Sequence, residues 1–427
     1  MNRLAAPDID TNQSWWAATA RPDTPCPQLR GDVTADLIVV GGGFTGVSTA
    51  YHVSRRFPDR RVVLLEARAL ANGASGRNGG LMLNWINGIH LEDPGAVQRI
   101  YAVTKDGIDG IERLIKEHDL KVAYRRDGCV ESVTDPTRAE AAIQRVEQLR
   151  GLGIPVEWIP GEAKLGANGV VGSILDTTAG QINGVDLLRA MKPLLLAQGV
   201  AIYEETPVVR IEEGKTVTVT TAMGTVRAPA IMLATNGYTP RLGYFRHSLF
   251  PLQSLVVAAP ATSGVSGFSD DLDRIAYGGF TESGTMIFGG GSNASYRYQY
   301  GGRTSYSGIP NYAPVEEKMR HYFPQAGPIS HRWTGTLGVT MSRVCAMGVR
   351  GTHKNVYYAL GYSGHGVTLA NLAGRVICDL YSDHHEPWAD LPFYNRKLGF
   401  IPGEPFRWIG YHAFTAMTGK SPRRPDL

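Results

Sequence analysis

The chain has 427 residues, 43% hydrophobic and 19% charged, with a net charge of +4. That balance excludes a disordered chain, asks for more than one packed unit, and lacks the basic excess that nucleic acid selects. The four cysteines (Cys26, Cys129, Cys345 and Cys378) lie too far apart for a zinc site or a disulfide framework, so no metal and a reducing, cytoplasmic setting are expected.

Residues 1–29 read as an extended lead-in with one notable apolar pair, Trp15-Trp16. No charged segment precedes an apolar one there, so no export signal is expected, and no run approaches the ~18 apolar residues of a membrane span. Asp36–Val40 is a buried strand ended by glycines, Thr45–Arg56 a helix, and Val62–Leu65 a second buried strand. This unit opens a doubly wound parallel sheet. Residues 91–150 read as mostly helical, with Ile111, Leu114, Ile115 and His118 on one face, and another helix spans Asp186–Gln198. Strand patterns follow at Val208–Ile211, Thr216–Thr221 and Ala230–Ala234. They dominate from Leu249 to Gly291, with a hairpin around Glu282-Ser283-Gly284. Val356–Leu360 is one more buried strand, followed by a glycine loop and a helix over Val367–Tyr381. The aromatic stretch Phe406–Phe414 reads as a helix that packs on its own domain, with a membrane surface or a partner as the other options; basic character begins only at Lys420.

Gly41-Gly42-Gly43-Phe44-Thr45-Gly46 carries the spacing GxGxxG between the first strand and its helix, and Glu66 stands at the end of the second strand. Gly41 permits the tight turn, Gly43 lets the backbone approach a pyrophosphate, and Gly46 lets the helix lie close to the strand. The helix N-terminus offers free N–H groups and partial positive charge to phosphate. Glu66 accepts ribose hydroxyls and repels a 2′-phosphate, which selects FAD or NAD over NADP.

Beyond Glu66 come Ala67-Arg68 and then Gly73–Gly80, containing Ser75, Gly76, Arg77, Asn78 and Gly79. Together with Ser14–Ala20, Leu233–Tyr238 and Gly361–Thr368, these stretches resemble the D-amino-acid oxidase-like superfamily of FAD-dependent oxidoreductases, and most of all its gamma-glutamylputrescine oxidase and glycine/sarcosine oxidase branch. The resemblance implies a Rossmann-type FAD domain with an inserted, mostly antiparallel β substrate domain. It also implies hydride transfer from the carbon next to an amine nitrogen to flavin N5, hydrolysis of the imine to an aldehyde or keto acid, and reoxidation by dioxygen to give hydrogen peroxide. The FAD domain is expected over 30–90, 180–240 and 335–385, the substrate domain over 91–179 and 241–334, and a linker and helix over 386–427. Expected FAD contacts are Gly41, Gly43, Phe44, Thr45, Gly46, Glu66, Ala67, Arg68, Ser75, Gly76, Arg77, Asn78 and Gly79. Further along they are Val208 (near adenine), Ala234, Thr235, Gly338, Gly361, Gly364, His365, Gly366, Val367 and Thr368. Some relatives tether the flavin through a His and a Cys; here Arg77-Asn78 stands at the first position and no Cys lies in Trp333–Thr340, so FAD is expected to be non-covalent.

The substrate side is less legible. If Ser295–Arg303 is extended, Tyr296, Tyr298 and Tyr300 share one face, and Arg297 and Gln299 the other. The tyrosines can wall an amine, while Arg297, Arg303 or Arg343 can hold an anionic end; the alternative is a solvent-side loop. His365, Tyr300 and Arg297 are the candidates for proton movement, and Asn84 and Trp85 can border the ring, with core packing the safer reading for Trp85. An oxidase of a small-molecule amine leads the readings, ahead of a dehydrogenase passing electrons to a quinone or carrier and a non-catalytic flavin-binding protein. A monooxygenase lacks the second GxGxxG it needs for NADPH.

Overall fold

Leu37–Val40 forms a strand buried at all four residues, because its apolar run has helices or strands on both faces. The computed structural model describes residue 9 and residues 12–89, 93–272 and 274–418; Lys420 lies outside them. Among the described residues the strands make four sheets. The central one has the order Ala201–Tyr203, Val62–Leu65, Leu37–Val40, Ala230–Leu233, Val356–Leu360 and Ala346–Arg350. The first five run parallel and the last joins antiparallel. In chain order the five parallel strands read 3-2-1-4-5, the doubly wound arrangement, whose crevice lies where strand order reverses. That point is the carboxyl end of Leu37–Val40 and Ala230–Leu233, directly before Gly41 and Ala234.

The helix Phe44–Arg56 closes the first crossover. It packs against Gly366–Tyr381 so tightly that a Cβ on Gly374 would stand 2.1 Å from Ser48 Oγ. A second, nine-stranded sheet carries the substrate side. Its long strand Phe250–Pro260 pairs antiparallel with His331–Val339 on one edge and with Thr285–Gly290 on the other. Thr285–Gly290 and Ala276–Phe280 form the expected hairpin. The strand His331–Val339 runs across the expected domain boundary at 335, so Gly335–Val339 reaches the cavity from the substrate sheet. The described part of 91–150 is mostly helical, as expected, over Pro94–Glu117 and Ala139–Gly151, but Cys129–Val133 is a strand pairing with Gly172–Asp176. Its Cys-Val-Glu-Ser-Val run is too short for periodicity to separate from helix.

Over its described residues 12–29 the lead-in is extended apart from one turn of helix, Trp15–Thr19, and is tied down at several points. Ser14 Oγ donates to Gly76 O at 2.6 Å and Trp16 Nε1 to Asn78 O at 2.7 Å. Farther on, Arg21 N donates to Asp186 Oδ1, and Cys26 N to Glu204 Oε2 at 2.6 Å. The buried Lys192 ammonium bridges Asp23 at 2.7 Å and Glu204 at 2.9 Å. No helix among the described residues is long and apolar enough to cross a membrane.

The C-terminal helix Phe406–Met417 packs on its own chain. Glu404 accepts from Trp408 N and Gly301 N and from the Tyr298 hydroxyl. Tyr411 OH donates to Tyr296 O at 3.2 Å, and Asn293 Nδ2 to Thr415 O at 2.8 Å.

Candidate active site

A single cavity of about 1280 Å³ runs from the crevice of the central sheet to the substrate sheet. At the crevice its wall is main chain. Gly41 has φ +109°, a left-handed conformation, and a Cβ there would stand 2.7 Å from Ala234 O. A Cβ on Gly46 would stand 1.8 Å from Gly41 O, and one on Gly43 would meet Ser75 Oγ at 2.7 Å. Ser75 Oγ in turn accepts from Phe44 N at 2.9 Å. Glu66 lies in the same wall, with Oε2 accepting from Gly42 N at 2.6 Å and Oε1 from Arg68 N at 2.9 Å. Removal from water pushes its carboxyl up, and these backbone N–H groups offset only part of that rise.

The second stretch, Ala74–Gly76, is a short 3-10 turn held by Asn78, whose Nδ2 donates to Ala74 O and Ser75 O while Oδ1 accepts from Gly80 N. Arg77 is buried, and its guanidinium is committed to Asn72 O, Asn12 Oδ1 and Thr334 O. It braces the loop against the strand His331–Val339 rather than reaching freely for a ligand. The third stretch, Gly361–Gly366, opens Gly366–Tyr381 with His365 at the cap. Asn236 Oδ1 accepts from Gly361 N at 2.9 Å, and Ser363 N donates to Gly338 O. Asn87 Nδ2 donates to Ser363 O at 2.7 Å, while its Oδ1 is buried at the cavity wall with no hydrogen-bond partner. Thr45 Oγ1 and Tyr362 OH lie 2.8 Å apart, and burial holds the tyrosine protonated.

Of the expected FAD contacts, Gly41, Gly43, Phe44, Thr45, Glu66, Ala67, Ser75, Arg77, Asn78, Gly79, Val208, Ala234, Thr235, Gly338, Gly364, His365, Gly366 and Val367 line the cavity. Gly46, Arg68, Gly76, Gly361 and Thr368 stand behind it: Gly46 as the close-packing glycine, and Arg68 outward against Glu205 at 3.4 Å. The substrate candidates divide. Tyr296 and Arg343 line the cavity; Tyr298, Tyr300, Arg297 and Arg303 are not among its lining residues. The expected alternation along 295–303 fails because the strand stops at Arg297 and the chain turns through Gly301 and Gly302, both at positive φ. Tyr298 and Gln299 are therefore both buried, Tyr300 is 59% exposed, and Arg297 turns out to Tyr306. Asn84 and Trp85 sit in the core: Asn84 donates to Asp176 and Thr178, and Trp85 Nε1 to Ile89 O.

Several lining residues had no sequence signal. Tyr277 presses on the loop, since a Cβ on Gly79 would stand 2.9 Å from its Cδ2, and its hydroxyl lies 3.2 Å from Ser254 Oγ. Arg274 and Asn87 belong here too, as does one face of the C-terminal helix: Phe406, Arg407, Gly410, Tyr411 and Phe414. Their i, i+4 and i+8 spacing was visible, but nothing local says what that face meets.

A dinucleotide cradle at the switch point of a 3-2-1-4-5 sheet, continued by a cavity under a second sheet, defines an FAD-binding oxidoreductase. Residues 36–380 match the family model described as FAD dependent oxidoreductase (DAO), and the chain belongs to that family. It is 29% identical to the gamma-glutamylputrescine oxidoreductase of Escherichia coli (strain K12), over 93% of this chain and 96% of the relative. It is 23% identical to the glycine oxidase of Geobacillus kaustophilus, over 86% and 98%. Among solved structures, the glycine oxidase of Geobacillus kaustophilus superposes with a TM-score of 0.73 at 19% identity, covering 86% of this chain and 99% of that one. The L-proline dehydrogenase of P. horikoshii gives 0.68 at 20%, covering 84% and 95%. The chain is thus an FAD-dependent oxidoreductase. The residues present fit FAD: glycines clear the crevice, Glu66 faces it, and the unpartnered Asn87 Oδ1 awaits a donor beside the third loop. No cysteine lines the cavity, and Cys345 is buried outside it with its thiol pushed up to about 12 by burial, in keeping with non-covalent FAD.

Proposed function

We propose that the protein oxidises a small amine at the carbon bearing the nitrogen and passes the electrons to dioxygen, giving hydrogen peroxide. The observation that carries this reading is the charge of the cavity wall. Among the described residues, Glu66 is its one carboxylate, and both Glu66 oxygens already accept backbone N–H bonds at the nucleotide end. No described carboxylate at the substrate end is left to hold an ammonium, and six arginines line the cavity, so the amine enters in its neutral form. Its lone pair is then available to support loss of hydride from the adjacent carbon.

Bound FAD supplies the electron sink that accepts this hydride. The chain's own residues do the rest. Gly41–Thr45, Glu66 and Ser75–Gly79 would hold the nucleotide and ring, with Asn87, Ser363 and His365 beside the third loop. Tyr277, Leu252, Leu337 and Tyr362 wall the substrate space and keep water from the reacting carbon. The resulting imine hydrolyses to a carbonyl compound and the leaving amine. The relatives named for gamma-glutamylputrescine, glycine and sarcosine support an amine as donor.

The test is anaerobic mixing of the purified flavoprotein with a panel of primary and secondary amines, following the oxidised flavin band, then admitting air. Bleaching by an amine and stoichiometric peroxide on aeration are expected. Bleaching without reoxidation in air moves the acceptor to a quinone or carrier protein. A flavin that no amine bleaches overturns the reading.

A further inference from the structure

We infer that Arg274 determines specificity by holding a carboxylate at the far end of the substrate amine. This deepens the amine-oxidation reading and rests on it. The substrate class is then an amine on a flexible, unbranched chain whose other end is anionic.

The cavity wall carries six arginines (Arg77, Arg241, Arg246, Arg274, Arg343 and Arg407) against the single carboxylate of Glu66. The group repels cations and favours an anionic ligand beyond the cofactor. Arg77 is spent on the loop, and Arg407 donates to Pro402 O and Arg246 O. None of the six pairs with a described carboxylate, and Arg274 differs from the other five in one respect: its Nη2 is shielded from solvent with no hydrogen-bond partner. A half-buried cation left without an anion is unfavourable, and a ligand carboxylate supplies what is missing.

Arg274 is also held in place. Its Nε donates to Asn293 Oδ1, and Asn293 Nδ2 is fixed to Thr415 O of the C-terminal helix. The Phe414 ring lies 5.8 Å from the guanidinium carbon, so the same helix covers the group from above. A shift of that helix would open Nη2 to a ligand. Arg274 stands three residues before Tyr277, which touches Gly79, and extended chain over that stretch spans about 10 Å. Between the two ends the wall is Ile275, Tyr277, Tyr296 and Tyr411, aromatic and apolar, suited to methylenes. The anion therefore stands several bonds from the reacting carbon, not on it.

The test compares ω-amino acids from 4-aminobutanoate to 8-aminooctanoate, each against the plain alkylamine of the same length, by kcat/KM. We expect at least tenfold preference for the carboxylated partner among the longer members. In Arg274→Gln, which keeps a donor for Asn293, that preference should collapse about tenfold or more, in KM rather than kcat. Arg274→Lys should restore part of it. Equal use of both series by the native enzyme, or a preference unchanged in Arg274→Gln, overturns the inference and leaves amine oxidation standing. If no amine bleaches the flavin, calorimetric titration with octanoate still decides: binding lost in Arg274→Gln keeps the anion site, and equal or absent binding removes it. Should the Gln variant not fold, the same comparison on Arg274→Lys, which loses the planar fork, must lower octanoate affinity.

Discussion

At the nucleotide end of the cavity the walls are main chain: Gly41, Gly43, Ala234 and the Ala74–Gly76 turn, with Gly46 pressed against Gly41 O. At the far end they are side chains brought from four separate parts of the sequence: Tyr277, Tyr296, Arg343 and the face of the C-terminal helix. A wall of main chain tolerates almost no added atom, because nothing in it can turn aside. A wall of side chains tolerates exchange, and each exchange changes what it recognises. The first end fixes a cofactor, and the second is where substrate choice can drift among relatives.

The sharpest way to break this contrast is Gly46→Ala. Its Cβ would stand 1.8 Å from Gly41 O. Crowding against backbone costs a few kcal/mol, so FAD affinity should fall on the order of a hundredfold and the protein should purify nearly colourless, measured by flavin-to-protein absorbance and FAD titration. Glu66→Gln removes a charged acceptor but no volume; FAD should bind about tenfold more weakly by the same titration. At the side-chain end, Glu404→Gln loosens the carboxylate that ties Trp408 N and Gly301 N together. Flavin content should hold while the KM for the best amine rises about threefold to tenfold; a loss of flavin instead would show the two ends are not separable.

A separate effect concerns stability outside the cavity. Asp270 is buried beneath Tyr322, and burial raises its carboxyl to about 6. Its folded pKa lies above its unfolded value of 3.8, so the folded state binds the extra proton. Stability from this group is present below about pH 4 and is lost as pH rises toward and past about 6, by roughly 2–3 kcal/mol. Asp270→Asn should flatten that decline in denaturant midpoints between pH 4 and 7. An unchanged slope would place the titration elsewhere.

The cradle was legible because its chemistry is written in consecutive residues. Gly41–Gly46 must turn and approach phosphate, and only glycine at those spacings permits both. Glu66 follows at the end of the next strand because the crossover helix has a set length. The central strands were legible for a similar reason: Val62–Leu65 and Ala230–Leu233 are short apolar runs with both faces covered. The far end was not. Tyr277 belongs to, and Arg274 closely precedes, a hairpin whose placement depends on Phe250–Pro260 pairing with two distant strands. The tyrosines of 296–300 carried a real alternation, but Gly301 and Gly302 turn the chain before it can persist. The C-terminal helix was recognisable as an element, while its role as a wall follows from Glu404, Tyr298 and Asn293 meeting it from outside its own stretch.

The lead-in has a consequence for how the protein is made. Trp16 and Ser14 brace the loop at Gly76 and Asn78, yet Arg21, Asp23 and Cys26 are anchored by Asp186, Lys192 and Glu204. The lead-in leaves the ribosome ahead of its anchors, which emerge some 165–178 residues later. The lead-in must therefore wait for those later residues before it can settle. Until it does, the Ala74–Gly76 turn lacks its outer brace, and because Ala234, Gly338 and Gly364 emerge later still, the strap can settle before the cradle for the prosthetic group is complete.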